Sequence, residues 1–416
     1  MFLDGLGGTI AYLSDGTAKV ANGFDTNKVE ISLSETTGSD YNIVPGTSET
    51  KDPTITIDAT VDSYVYIVVA DETAGLVTYD LASGWTLLYD ADSNGTGYAI
   101  YYQAVSADTE TLGIIADNTV YYDAALTNAD MLDENGNLIE GITLSFTAYA
   151  IQQASFDDAS DAYEALKLTI LGDYGWTVVD EVSDLTEDHI IAEGSYILAA
   201  DVEASSYLST SSGTEVEIDL NGNTIDLNGS KYIITNGDLT LDDTAGGGTI
   251  TGATGSTSAI RVSSMGSLTM NGGTITGNSC TGNGGAVYVD GGTFILNDGT
   301  ISGNSVGSSK YGGGVVAYGS AEIIMNGGTI SGNSAKYGGG VALYSTASAT
   351  FTMNGGTITE NEATTYGGGV WVGSDSTFIL NGGTVTGNTA GTRGGDLYNK
   401  GTFENNGGTI KDTYGT

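Results

Sequence analysis

One histidine, one cysteine and a few neighbouring acids are the main catalytic material in this 416-residue chain. His189 stands in TEDHIIAEG. A zinc protease of the usual kind needs two histidines one helical turn apart with a glutamate base between them, which a lone histidine excludes. A serine triad would have to recruit the same His189, and no GxSxG elbow is present to pair with it. His189 therefore reads as structural or exposed. Cys280, in GNSCTGN, excludes an intramolecular disulfide and any CxxC metal or redox site. It reads as a small residue in a Gly/Asn/Ser turn, with an intermolecular thiol as the alternative.

Glycan-cleaving chemistry needs either clustered carboxylates on one face or a basic residue beside calcium-binding acids. The arginines of the C-terminal half are Arg261 and Arg393, and its acids, Asp290, Asp298, Glu322, Glu360, Glu362, Asp375 and Asp396, fall in different turns. Glu360 and Glu362 come closest to a pair, and solvation accounts for them. No motif indicates calcium, and no cofactor or metal site is expected. Tyr311, Tyr337 and Tyr366 each precede GGGV. Stacking at a turn explains such a row, and a sugar-binding platform is the sharper alternative. Paired threonines such as Thr274/Thr276 and Thr357/Thr359 suggest an outward array that orders ice-like water, although threonine is simply a residue that ladders well in strands.

The elements that must carry these residues announce themselves by repetition. The phrase NGGTITGN from Asn271 returns as NDGTISGN from Asn297, NGGTISGN from Asn326, NGGTITEN from Asn354, NGGTVTGN from Asn381 and NGGTIKD from Asn406. A period of about 25–29 residues means a solenoid. Each repeat holds three short alternating segments between Gly/Asn/Ser turns, the grammar of a parallel β-helix with three strands per coil. Its hand is expected to be right, from the preference of parallel crossovers. One inward column is Ile275, Ile301, Ile330, Ile358, Val385 and Ile410; a second is Phe294, Ile323, Phe351, Phe378 and Phe403. Leu296, Met325, Met353 and Leu380 run beside the second and stop at Asn405, so the last coil is expected to be frayed or capped. Asn271, Asn297, Asn326, Asn354 and Asn381 mark one corner, where stacked amides can bond along the axis. Less regular coils extend back to a start near Gly194.

The first 170 or so residues contain no repeat. Runs such as VEISLS, YVYIVVAD and ITLSFTAYAIQ alternate with polar turns, which favours an antiparallel sandwich. DDASDAYEALKLTI from Asp157 reads as one short helix. The expected domains are a leader or processing segment over 1–10, a sandwich over 11–171, a connector and cap over 172–193 and the β-helix over 194–416.

GGTIAYLSDGTAKVANGFDTNKVEISLSE, then KDPTITIDATVDSYVYIVVAD, GWTLLY and ITLSFTAYAIQQASFDDASDAYEAL together resemble the TasA/camelysin family of secreted biofilm-matrix proteins. The resemblance covers Gly7 to Leu166. It implies a jelly-roll-like sandwich, cleavage near Ala11 by a dedicated signal peptidase, and an extracellular location in a Gram-positive bacterium. It further implies self-assembly into fibres, with Ala11, Tyr12, Leu13 and Ser14 as a donor strand added to the neighbouring subunit's sheet. Only MFLDGLGGTI precedes Ala11, and Asp4 interrupts its apolar residues. Family members have been labelled proteases, a role the histidine count argues against. The C-terminal part resembles the β-helix repeats of bacterial surface adhesins.

Composition bounds the partners. A net charge of −41 with 11 Lys and Arg repels phosphate backbones and anionic lipid heads, so nucleic acid and membrane insertion are not expected. No run reaches the length of a membrane span, and the tail KDTYGT carries no hydrophobic stop. The sequence thus points to a secreted, non-enzymatic, fibre-forming protein that displays a β-helix. A glycan-binding adhesin is the alternative, and a carbohydrate-active enzyme comes third.

Overall fold

A computed structural model describes residues 10–13, 29–35, 46–71, 77–90, 98–122, 144–173, 175–186, 189–344 and 348–415. The chain forms two compact units, Met1–Lys167 and Leu168–Thr416, and the fold is all-β as expected. The dividing point falls within the predicted helix, four residues before the expected boundary at 171.

The first unit is built from antiparallel strands β1 (Ile10–Leu13), β2 (Val29–Ser34), β3 (Ser48–Thr50), β4 (Thr54–Ala59), β5 (Ser63–Asp71), β6 (Val77–Thr78), β7 (Thr86–Asp90), β8 (Tyr98–Val105), β9 (Thr111–Gly113), β10 (Thr119–Tyr122) and β11 (Leu144–Gln152). They form a five-stranded sheet in the order β1-β11-β5-β8-β7 and two three-stranded sheets, β2-β4-β9 and β3-β10-β6. Alternation explains one interior: Ile31, Ile55 and Ile57 pack with Val65, Ile67, Val69, Phe146, Ala148 and Ala150. Each buried Ile, Val or Phe side chain here stabilises the fold by about 1.5–3 kcal/mol, and the alanines by less. The other face of β5 is covered too, which is why SYVYIVVAD is almost continuously buried instead of alternating. There the helix α1 (Ala159–Asp173) accounts for the coverage: the Tyr66 hydroxyl donates to the Ala159 carbonyl at 2.6 Å, and the Tyr66 and Tyr163 rings lie 6.3 Å apart.

The second unit is a parallel solenoid. Two ten-stranded sheets and one nine-stranded sheet run its length, and a fourth sheet of five two- to five-residue strands joins them between Ser279 and Ala390. The three-strand expectation therefore holds for the early coils, with a fourth short strand added later. The predicted columns are in register. Ile275, Ile301, Ile330, Ile358, Val385 and Ile410 pair successively, as do Phe294, Ile323, Phe351, Phe378 and Phe403. Ring stacking reinforces the second column, with Phe351 and Phe378 only 4.8 Å apart and nearly parallel.

The solenoid begins earlier than the sequence suggested. Thr177–Val179 opens the first sheet and Ile190–Ile191 the second, so the connector already contributes a coil. The four-residue helix Val182–Leu185 sits beside it, with Leu185 buried in the core and Val182 packed against it. The Asp184 carboxylate accepts from the Asp180 and Glu181 amides, which closes the helix start. At the other end Phe403 and Ile410 are only partly buried, as the lost Leu/Met column implied.

Candidate functional site

The outer surface of the second solenoid sheet gathers more aromatic side chains than any motif announced. Register places Tyr288, Val316, Ala342, Trp371, Tyr398 and Tyr414 in one outward column. Tyr311, Tyr337 and Tyr366 enter beside it from the turn before each GGGV, bridged in parallel from coil to coil. Because Val316 and Ala342 are small, neighbouring rings close over them and leave both buried, with Trp371 5% exposed.

The predicted tyrosine row is thus brought together, and it is longer than predicted. Tyr311, Tyr337, Tyr366, Tyr398 and Tyr414 stack in succession at centroid distances of 4.7, 5.9, 4.4 and 5.3 Å, with ring planes within 28° of parallel. Arg393 replaces tyrosine in the fourth coil, and Tyr398 from the adjacent column takes the vacant place. The Arg393 guanidinium then lies 4.5 Å from the Tyr414 ring and donates to its hydroxyl. Ring faces are spent on one another within the stack, which leaves edges and hydroxyls as the parts of each ring not covered by a neighbouring ring. A sugar platform that works by face stacking has little bare face to use here.

Cations border the same row. Lys336 lies 5.2 Å from the Tyr337 ring, Lys400 lies 5.8 Å from Tyr398 and Arg261 lies 5.7 Å from Tyr288. Asp290 holds Arg261 at 2.5 Å, and burial pushes the Tyr288 hydroxyl up to about 12. Among the described residues, Lys310, Lys336, Arg393 and Lys400 have no carboxylate within ion-pair distance.

The other sequence candidates are placed separately. His189 is exposed, with Nδ1 2.5 Å from the Ser206 hydroxyl and its ring against Tyr207. Glu360 and Glu362 are both exposed, and Glu360 holds a left-handed φ of 56° where most other coils have glycine. Cys280 corrects the turn reading: it ends a short strand, points into the core and is 2% exposed. Burial pushes its thiol up to about 11, which keeps it protonated and unreactive. Among the described residues, no group of three or more His, Cys, Asp or Glu can hold a metal ion. In the donor-strand candidate, Ala11, Tyr12 and Leu13 lie in β1, whereas Ser14 lies outside the described residues.

Two amide networks organise the turns between the solenoid sheets. The predicted corner amides bond along the axis from Asn271 through Asn297, Asn326, Asn354 and Asn381 to Asn406, at 2.8–2.9 Å and in contact with solvent. The second asparagine of each phrase forms a ladder that the sequence reading missed. Asn278, Asn304, Asn333 and Asn361 are fully buried, and each donates from Nδ2 to Oδ1 of the next rung, ending at Asn388. Asn278 Oδ1 also accepts the Ala253 backbone N–H, each later Oδ1 accepts the preceding asparagine's backbone N–H, and each Nδ2 also donates to an isoleucine carbonyl. Asp396 ends the series, its carboxylate accepting both Asn388 donors and the Asp412 amide. The available signal was a polar residue recurring without substitution one position beyond the left-handed turn residue.

Earlier coils carry one perturbed acid. Burial, with Glu217 and Asp219 nearby, pushes Asp242 up to about 6, against an opposing hydrogen bond from Asn271. An acid held above its unfolded value binds its proton more tightly when folded, so the contribution is fully favourable below about pH 4 and is lost as pH rises through 6. Asp242→Asn is expected to stabilise the chain by roughly 1–2 kcal/mol at pH 7.5, after discounting for its partial exposure. Near pH 4 the gain should vanish. Urea unfolding at both pH values checks this, and an equal gain at each would refute it.

No protein-family model, curated protein or solved structure matches the chain.

Proposed function

We propose that this is a secreted, non-enzymatic structural protein whose copies join into extracellular fibres by exchanging β1, with the solenoid displayed along the fibre. The carrying observation is the position of β1. It sits at the edge of the five-stranded sheet and, among the described residues, pairs with β11 alone, over Ile10–Leu13 against Ala148–Ile151. On its other side β11 is paired along all nine residues with β5. A four-residue edge strand hydrogen-bonded on one side is the sheet's most readily exchanged element, and its removal uncovers an edge strand rich in buried residues, Phe146, Ala148, Tyr149, Ala150 and Ile151. Such an edge is a template for the equivalent strand of another copy, with main-chain hydrogen bonds supplying affinity and the pleat supplying register. The net charge of −41 would keep the assembled surface dispersed.

A chain beginning at Ala11 is expected to form filaments visible by negative-stain microscopy, and deletion of residues 11–14 is expected to abolish them. Monomers persisting from the chain that begins at Ala11 would overturn the fibre reading. The second reading, a surface adhesin that binds glycans through the solenoid, is favoured by the aromatic and cationic row on the second sheet.

A further inference from the structure

We infer that this row binds a linear acidic polysaccharide, a polymer with a carboxylate on its sugars, laid along the solenoid axis. The first support is where the scarce cations lie. Beyond Lys231 the chain has Arg261, Lys310, Lys336, Arg393, Lys400 and Lys411. Four of these six rest against rings of this one face, and Lys310 adjoins Tyr311 in sequence. On a protein with 52 acids, a strip whose Lys310, Lys336, Arg393 and Lys400 lack carboxylate partners among the described residues is locally complementary to an anion. Screening confines the remaining negative field to about 8 Å at physiological ionic strength, so a ligand on the strip meets the strip's own charges first.

The second support is the chemistry the row turns outward. Single-stranded nucleic acids bind by laying bases on bare aromatic faces. Here each interior face of the stack already meets another ring, and what remains are ring edges, phenolic hydroxyls and N–H donors. Those groups suit sugar hydroxyls and carboxylates. They also recur once per coil, about every 4.8 Å, which matches a ligand that is itself a repeating extended chain. Lys336 and Lys400 supply point charges for carboxylates, and the tyrosine hydroxyls supply hydrogen bonds to ring oxygens and hydroxyls.

The test uses the full chain with a hexamer of galacturonate as probe and with neutral cellohexaose and a thymidine decanucleotide as comparisons, all by calorimetry. The uronate hexamer should bind, weaken as salt is raised, and bind at least tenfold more tightly than either comparison. Lys336→Gln/Lys400→Gln, which leaves the ring stack intact, should weaken it at least tenfold while thermal unfolding is unchanged. Adding Arg393→Gln should weaken it further. Absence of uronate binding, equal binding by the double variant, or equally tight binding of the decanucleotide would overturn the inference. It stands apart from β1 exchange: filaments that ignore uronate overturn only this proposal, and monomers that bind it overturn only the fibre reading.

Discussion

Asn333→Ala is expected to destabilise the solenoid by about 3–4 kcal/mol, read as a lowered urea midpoint. The alanine removes the Oδ1 that accepts both the backbone N–H and the Nδ2 of Asn304, at 2.9 and 3.0 Å. It also withdraws the Nδ2 that serves the Ile301 carbonyl and Asn361 Oδ1. An orphaned buried donor costs about 1–3 kcal/mol, and the vacated volume adds to this. The control is Asn326→Ala in the corner ladder. Asn326 makes amide bonds of similar length, 2.8 Å on either side, but it is exposed. Water can replace those bonds, so the expected cost is below about 1 kcal/mol. Equal losses for the two variants would show that burial is not what gives the inner ladder its weight.

Gly339→Ala should be at least as damaging, by about 3 kcal/mol or more, while Gly340→Ala one residue on should cost less. A Cβ on Gly339 would sit 2.5 Å from the carbonyl oxygens of Glu362 and Gly368, both main-chain atoms of the next coil that cannot swing away. At Gly340 the nearest atoms are the Gly369 carbonyl at 2.8 Å and the Asn361 amide nitrogen at 3.0 Å. Nature has already made the milder substitution, because Ala286 occupies the equivalent third place in the GGAV coil and is fully buried there. Thermal melts of both variants test the ordering, and a Gly339→Ala protein that melts with the unaltered chain would refute it. The first glycine of the run, Gly338, serves a different need, since it turns the chain at a φ of +62°.

These two sites mark where the sequence was readable and where it was not. Inward apolar columns can be read off directly because hydrophobic period and repeat period coincide, which is why Ile275 to Ile410 align in the sequence alone. Corner asparagines were also legible, since an amide beside glycine signals a turn. Asn278 and its successors carry the same local signature, yet they face inward. Only the stacked coil beneath reveals that every donor and acceptor finds a partner, and without that knowledge a polar residue is assigned to solvent. The coil within residues 177–191 was missed for a related reason: LTEDHIIAEG is too polar and irregular to show a period, and its role depends on the sheet it extends. Cys280 was misplaced because a two-residue strand has no alternation to detect. In the first unit alternation located the strands, while the pairing of β1 with β11 is a long-range choice that local pattern does not encode. The tyrosine row was legible for three rings. Its continuation through Tyr398 and Tyr414 was hidden, because those rings come from a different column.

The two amide ladders run in opposite senses. Corner asparagines donate toward the N-terminal coil, whereas the buried ones donate toward the C-terminal coil and stop at an aspartate that can only accept. The buried series is therefore a sentence with a full stop. A whole coil duplicated anywhere between Asn278 and Asn388 finds the same partner above and below, so such a gene can lengthen or shorten its product without relearning how to fold. The coil that follows Asp396 meets a carboxylate where earlier coils meet an amide, and it answers with the Asp412 backbone N–H instead of an asparagine side chain. That asymmetry lets coils be added within the buried series but not across its Asp396 end.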